Sequence, residues 1–94
     1  MGTSGAPRAL LMDASDNVAV AAAVLEPGEE IELGGRRISV GERIPFGHKL
    51  ALEPIAEGGH VIKYGEVIGV ATEPIPAGNH VHVQNVVSAR LPGR

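Results

Sequence analysis

An all-β fold of many short strands is predicted by three features of the sequence. Glycine and proline recur along the whole chain, with 13 Gly and 7 Pro among 94 residues. The apolar stretches between them are short, and none keeps the 3.6-residue period of an amphipathic helix over a useful length. A turn motif also recurs four times. Short apolar segments bounded by turn residues are typical of compact all-β domains.

The first elements are predicted in the N-terminal quarter of the chain. Residues 8–13 can form a strand that enters the fold, and residues 13–17 are a cluster of turn-forming side chains. Residues 18–25 are a continuous apolar run. Its alanines would allow a helix, but its length and the turn residues on either side favour a buried strand.

A hairpin and a further strand follow. Residues 31–33 and 37–40 flank Gly34-Gly35, which is a signal for a tight turn between paired strands. This hairpin is small enough to project from the body of the domain. Residues 48–52, His-Lys-Leu-Ala-Leu, are also predicted to form a strand. Turns and short strands continue to exchange places as far as Ser88.

The recurring motif, here called a corner, is an apolar residue, two residues, Gly, two residues and a second apolar residue. Residues 53–61 align without gaps on residues 73–81, with six of nine positions identical. Residues 25–31 and 44–50 have the same pattern. Glycine permits the positive φ of a tight turn, and the two apolar residues anchor both arms in the core. Four corners predict a compact, irregular, pseudo-symmetric β fold.

A single domain with a thin core is expected. Phe46 and Tyr64 are the only aromatic residues, and aromatics contribute the largest buried areas. We place the domain at residues 9–90, with a disordered N-terminus over residues 1–8 and a loose tail over residues 91–94. A thin core favours an assembly over a lone catalyst, and a higher oligomer is compatible with it.

Composition also excludes several classes of protein. The net charge of −3 and the shortage of aromatics argue against a nucleic-acid partner. Without cysteine there is no disulfide, thiolate nucleophile or sulfur-ligated metal. No apolar run approaches the roughly 20 residues that span a bilayer, and no signal-peptide pattern begins the chain. We therefore expect a cytoplasmic protein with no membrane partner.

Histidines concentrate in the second half of the chain. His80 and His82 stand two residues apart, which places both imidazoles on one face of a strand. Such a pair can bind a divalent metal, with Gln84 or Asn85 orienting the rings. Two ligands rarely suffice, so a partner chain would have to complete the site. The alternative is that both rings lie on a solvated face.

In the corner at residues 44–50, the second along the chain, His48 and Lys49 directly follow Gly47. A glycine turn that presents a titratable ring beside a cation suits an anionic ligand, with His48 for proton transfer and Lys49 for charge. The alternative is an ordinary surface turn.

The second candidate group is Lys63, Tyr64 and Gly65. Lys63 and Tyr64 can bind a carboxylate, or Tyr64 can be a core or interface residue. On a regular strand Tyr64 points away from Lys63 and Gly65, so a bulge would be needed to bring Lys63 and Tyr64 into one pocket. The chain has neither a nucleophile elbow nor a phosphate-binding loop, and no complete active site is visible.

The combined motifs resemble the N-terminal portion of the altronate and galactarate dehydratases. Five features carry the resemblance in this order: residues 44–52 with Gly-His-Lys, residues 61–65 with Ile-Lys-Tyr-Gly, Ile68-Gly69, residues 75–82 with His-Val-His, and Asn85. That portion is an SAF-type, β-clip domain, a fold also seen in type III antifreeze proteins and sialic acid synthases. The resemblance spans about residues 11–88.

The resemblance implies an activity, a cofactor and a partner. The family is metal-dependent, with iron(II) or another divalent ion, and eliminates water from sugar acids to give 2-keto-3-deoxy acids. In the family the domain precedes a much larger catalytic region. We therefore expect this chain to be the small subunit of a split dehydratase whose large subunit completes the metal site, and to be inactive alone.

Site residues follow from the same motifs. His48 and Lys49, with the substrate-binding group Lys63, Tyr64 and Gly65, match the family's positions. His80 and His82 match the altronate-type motif, and their assignment to a metal rests on imidazole chemistry. Gln84 stands where a third histidine is expected.

Two other functions remain open at this point. The small subunit of (2R)-sulfolactate sulfo-lyase, which eliminates sulfite from a related hydroxy acid, resembles the same domain equally well. A non-catalytic binding or assembly module, as in the antifreeze relatives, is the alternative from a different class.

Overall fold

The described part of the chain, residues 7–88 of a computed structural model, contains nine short strands and no helix. They are β1 (Ala9–Leu10), β2 (Val18–Ala21), β3 (Glu30–Leu33), β4 (Arg36–Ser39), β5 (Lys49–Ala51), β6 (His60–Lys63), β7 (Glu66–Ala71), β8 (His80–Val81) and β9 (Val86–Ser88). The all-β prediction is confirmed. Within these residues nothing forms a helix that could cross a membrane.

The strands form three antiparallel sheets. The largest has the order β1-β2-β5-β8, a second is the β3–β4 hairpin, and the third has the order β6-β7-β9. The pairing of β5 with β8 joins strands far apart in the chain, with Leu50 opposite His80. This non-local pair carries the candidate site.

All four predicted corners are present, and they pair with one another. Leu25 exchanges two backbone hydrogen bonds of 2.9 Å with Ile44, and Ile55 exchanges two of 2.8 Å with Ile75. The four side chains are at most 4% exposed. The two corners with the strongest sequence identity, at residues 53–61 and 73–81, therefore pair with each other, and the other two corners form the second pair.

Each corner is held by two backbone hydrogen bonds to an alanine or valine of a neighbouring segment. In the second corner the Gly47 N–H donates to the Ala21 carbonyl, and the Ala21 N–H donates to the His48 carbonyl, both at 2.8 Å. The same pair of bonds joins the other three corners to Val40, Ala71 and Ala51. The corner glycines have φ between 82° and 93°, a region that L-residues other than glycine rarely enter.

Two hydrophobic clusters share the central sheet. Ala19 and Leu50 contribute to the first cluster, whereas Val18 and Ala51, on the opposite face of β2 and β5, contribute to the second. Because both faces of the sheet are covered, both sets of side chains in β2 are apolar. This explains the continuous apolar run in the sequence.

Several predicted details are wrong. The first strand is confined to Ala9–Leu10, and β2 ends at Ala21, because Leu25 belongs to a corner. The β3–β4 hairpin does not project, since Ile31 and Ile38 are 6% and 3% exposed and pack in the first cluster.

The predicted termini lie mostly outside the described residues. Of the N-terminal segment only Pro7 and Arg8 are described, and the Arg8 guanidinium contacts the Glu29 carboxylate at 3.0 Å. The predicted tail over residues 91–94 lies wholly outside.

Replacing Gly78 by alanine tests the corner geometry. The added methyl would overlap the Ser39 carbonyl oxygen, in addition to the cost of positive φ. We expect Gly78→Ala to lower the free energy of unfolding by about 3 kcal/mol or more in urea titrations.

Gly28→Ala is the matched control, because Gly28 also has positive φ but its added methyl meets nothing within 4 Å. It should lose only about 1 kcal/mol. Equal losses in the two variants would contradict the close approach of the Gly78 corner to Ser39.

Candidate functional site

Three histidines converge where β5 lies beside β8. His48 follows Gly47 at the end of the second corner, and His80 begins β8. The antiparallel pairing of Lys49 with Val81 brings these positions together. His82, two residues beyond His80, extends the same face, as predicted from the spacing.

The three imidazoles form one stacked group. His48 Nδ1 lies 2.8 Å from His80 Nε2, a hydrogen-bonding distance. The ring of His48 lies 4.0 Å from that of His82 and 5.0 Å from that of His80, centroid to centroid, with interplanar angles of 18° and 17°. One ring nitrogen from each of the three lies within 4.8 Å of the others. The sequence predicted the His80–His82 pair but not its third member.

Gln84 and Asn85 hold this group in place. The Gln84 side-chain nitrogen lies 3.1 Å from His80 Nδ1. Since an amide nitrogen can only donate, His80 Nδ1 accepts, and the ring proton is assigned to Nε2, which donates to His48. Asn85 is 6% exposed and binds the backbone on both sides, accepting from the His82 N–H and donating to the His80 carbonyl. Gln84 thus orients the ring, and Asn85 the chain.

The surroundings of His80 and His82 disfavour their charged forms. Burial, followed by repulsion from His48 and His82, lowers the pKa of His80 below its ordinary value. Burial, followed by repulsion from His48 and Lys49, also lowers the pKa of His82. A neutral imidazole has the free lone pair that a metal requires. In His80, however, the ring proton is on Nε2 and the Nδ1 lone pair accepts from Gln84, so binding of a metal through Nε2 requires the proton to move to Nδ1 and the Gln84 amide to turn its oxygen toward it.

Lys49 connects the histidines to the second candidate group. It is half-buried, and burial followed by repulsion from Lys63 lowers the pKa of its ammonium. Lys49 and Lys63 are therefore close enough to repel each other, and the neighbouring imidazoles carry no negative charge that would offset this repulsion. The arrangement favours an anionic ligand.

Lys63 and Tyr64 lie together, contrary to the expectation for a regular strand. Tyr64 and Gly65 are the turn between β6 and β7, with φ of 57° and 74°, so the alternation of a strand does not apply to them. The strand pairing also shifts register between Val61 and Ile62. The Lys63 ammonium lies 5.0 Å from the centre of the Tyr64 ring, within cation–π range.

Asp16 and Asn17 are site-supporting residues that sequence reasoning missed. Asp16 is 1% exposed, and its carboxylate accepts hydrogen bonds from the Tyr64 N–H at 3.0 Å and the Gly65 N–H at 2.8 Å. Asn17 binds the backbone of β6 with both ends of its amide. Two adjacent polar residues directly before a buried apolar run are the signal in the sequence, but Asp and Asn are also typical turn residues, and residues 13–17 are predicted as a turn.

The site is open. Within residues 7–88 there is no pocket that would enclose a ligand. Phe46 and Val83, which flank the histidines in sequence, are 68% and 81% exposed. His60, the fourth histidine, is exposed at the start of β6 and does not join the group. The arrangement provides nitrogen donors and positive charge on a surface, and apolar side chains border it.

The stability of the metal-free chain should fall as the pH drops below about 6.5. The unfolded chain has histidines of ordinary pKa and takes up protons there, whereas His80 and His82 resist protonation in the folded state. Urea midpoints measured with chelator between about pH 7.5 and 5.5 test this, above the range where carboxylates titrate.

His80→Gln should flatten the pH dependence, and His60→Gln, at the exposed histidine, should leave it unchanged. A slope that is the same in wild type and His80→Gln would show that the histidine group does not control it.

Comparisons with known proteins concern the domain as a whole. Residues 7–89 match the family model described as the altronate/galactarate dehydratase SAF domain. Altronate dehydratase of Escherichia coli is 47% identical over 72 residues, which is 77% of this chain and 14% of that protein. The enzyme of Bacillus subtilis is 41% identical over 70 residues, again 14% of its length. The chain thus spans about one seventh of these relatives.

A relative of more similar length is (2R)-sulfolactate sulfo-lyase subunit alpha of Paracoccus pantotrophus. It is 41% identical over 54 residues, which cover 57% of this chain and 81% of that protein. The fold, the order of the motifs and the match over residues 7–89 lead to one conclusion. The chain belongs to the altronate/galactarate dehydratase SAF domain family.

Proposed function

We propose that the chain is the small part of a lyase that removes water from a sugar acid, leaving a 2-keto-3-deoxy acid. The observation that carries this is the stacked group of His48, His80 and His82 beside the lysine pair Lys49 and Lys63. Nitrogen donors and positive charge on one face match what elimination from a polyhydroxy carboxylate requires. The names of the relatives, which are dehydratases, support the same reaction class.

A divalent ion, with iron(II) as the first candidate, fits the histidine group. His80 and His82 would hold it, with His48 as the third nitrogen, because the three donors already lie within 4.8 Å of one another. Imidazole suits iron(II) and zinc, and Gln84, with its amide turned so that the oxygen accepts from His80 Nδ1–H, would provide the outer hydrogen bond that orients a ligand ring. When bound, such an ion would act as a Lewis acid toward the carboxylate next to the carbon that loses its proton. Ligands from a larger partner would complete the site.

The chain's own residues bind the acid and handle its charge. Lys49 and Lys63 attract the carboxylates, the Tyr64 hydroxyl contributes a hydrogen-bond donor at the edge of the site, and Gly65 completes the turn that presents Lys63 and Tyr64 to the substrate. His48 has two possible uses: it is the predicted proton-transfer residue, and it is also the third nitrogen of the group. The metal content and turnover of His48→Ala distinguish these two roles.

A larger catalytic polypeptide is the proposed partner. The open site and the exposed Phe46 and Val83 at its border support this, since elimination chemistry requires exclusion of water. Altronate dehydratases contain about seven times more sequence than the match covers. We propose a cytoplasmic assembly in which the chain by itself is inactive.

A second candidate is the elimination of sulfite from (2R)-sulfolactate. The observation that favours it is the match over 81% of a protein named as subunit alpha of that lyase. The same histidine and lysine residues suit either substrate, since both are hydroxy acids with anionic groups.

Turnover should require the chain together with a dehydratase-type large region, supplied either as a separate polypeptide or in one chain. Altronate, galactarate and sulfolactate are assayed with and without iron(II). Formation of a 2-keto-3-deoxy acid only in the complete assembly supports the dehydratase, and sulfite release supports the second candidate. Turnover by the isolated chain would contradict the need for a partner, and no complex or product would leave a binding module.

His48→Ala should reduce turnover of the assembly by about 100-fold or more, while the domain remains folded. We expect the variant also to bind metal at least about tenfold more weakly, because one nitrogen donor is lost. Metal content and initial rates are measured on the same samples.

His60→Ala is the control, because His60 is exposed and outside the group. Loss of turnover with full metal content would assign His48 to proton transfer alone. Near-normal values of both quantities would remove His48 from the site.

A further inference from the structure

We infer that Asp16 is a positioning residue that holds Tyr64 in a strained backbone conformation, so that Lys63 and Tyr64 together bind one carboxylate end of the substrate. The inference deepens the proposed function and rests on it. It assigns a role in substrate binding to a residue that touches neither the histidines nor the open face.

The contacts of Asp16 are directed at one turn. Its buried carboxylate accepts from the Tyr64 N–H with one oxygen, at 3.0 Å, and from the Gly65 N–H with the other, at 2.8 Å. Hydrogen bonds to a charged acceptor are about twice as strong as those between neutral groups. Both oxygens are thus used to fix two consecutive amides of the β6–β7 turn.

The conformation held in this way is unfavourable for tyrosine. Tyr64 has φ of 57° and is the only non-glycine residue among residues 7–88 with positive φ. The corresponding β3–β4 turn, with nearly the same φ values, uses Gly34 and Gly35. A side chain in this conformation destabilises a protein, and such strain tends to accumulate at functional sites.

Packing does not account for the tyrosine. Its side chain is 63% exposed and lies outside both hydrophobic clusters. The Lys63 ammonium lies 5.0 Å from the centre of the Tyr64 ring. An ammonium and a phenol on a rigid turn provide a positive charge and a hydroxyl donor, which is the combination that binds a carboxylate.

Asn17 extends the support along the preceding strand. Its side chain donates to the His60 carbonyl at 2.9 Å and accepts from the Ile62 N–H at 2.8 Å. Asp16 and Asn17 therefore bind four backbone groups between residues 60 and 65 from one side. The turn is fixed before a ligand arrives, which reduces the entropy lost on binding.

The first experiment measures the backbone directly. Tyr64 is the only tyrosine, so a chain labelled with ¹⁵N-tyrosine has a single labelled amide. In Asp16→Asn one acceptor oxygen is replaced by an amide NH2 group, a donor that faces a backbone N–H. We expect the order parameter of the Tyr64 amide to fall from about 0.85 to below about 0.6, with faster hydrogen exchange.

Glu57→Gln is the matched control, because Glu57 is an exposed carboxylate that precedes β6, whereas Tyr64 follows the other end of that strand. It should leave the Tyr64 amide unchanged. If Asp16→Asn does not fold, Asp16→Glu replaces it, since the longer side chain keeps the charge but displaces the turn. A Tyr64 amide that stays ordered in the folded variant overturns the inference.

The second experiment measures substrate binding in the complete assembly. Asp16→Asn and Tyr64→Gly should each raise KM about tenfold with kcat changed less than about threefold, and the double variant should be no worse than the worse single one. Tyr64→Gly should also raise the folding equilibrium constant about threefold, because glycine relieves the strain.

An unchanged KM in both variants, with a functioning wild type, would overturn the role in substrate binding. A wild-type assembly that turns over none of the three acids would instead contradict the proposed function. The amide measurement still decides in that case whether Asp16 holds Tyr64.

Discussion

The closure of the four glycine corners is the constraint on which the rest of the structure depends. The N–H of each corner glycine donates to the carbonyl of an alanine or valine in a neighbouring segment. The N–H of that alanine or valine donates to the carbonyl of the residue after the glycine. In the second corner that residue is His48, and in the fourth it is Asn79, immediately before His80. The same bonds that close the fold therefore place two of the three candidate metal donors.

The thin core makes buried polar residues important for order. Both hydrophobic clusters consist of aliphatic side chains, and the aromatic residues Phe46 and Tyr64 are exposed. The buried polar residues Asp16, Asn17 and Asn85 are hydrogen-bonded to backbone at the turns that carry the candidate site. Such contacts are directional, so they define a turn more closely than aliphatic packing does.

The candidate site has groups that could bind a metal ion and an anion, but it does not enclose a ligand. It contains three imidazoles, of which His80 and His82 have a lowered pKa, and two lysines that repel each other; a metal ion would use the imidazole lone pairs and an anion would reduce the repulsion. The face itself is open within residues 7–88. Under the proposed function a larger region would supply the walls of the site, and the same donors and charge on the β domain would suit eliminations with different leaving groups.

The sequence by itself determined the features that depend on local geometry: the all-β class, the corners, the Gly34–Gly35 hairpin and the shared face of His80 and His82. Glycine φ and the two-residue period of strands act over a few residues, so they can be read from the sequence. Only the tertiary structure brought His48 to His80, because that contact requires β5 to pair with β8, some 30 residues later. It likewise buried Asp16 beneath the Tyr64 turn, since the partner of a buried carboxylate is set by packing between distant segments.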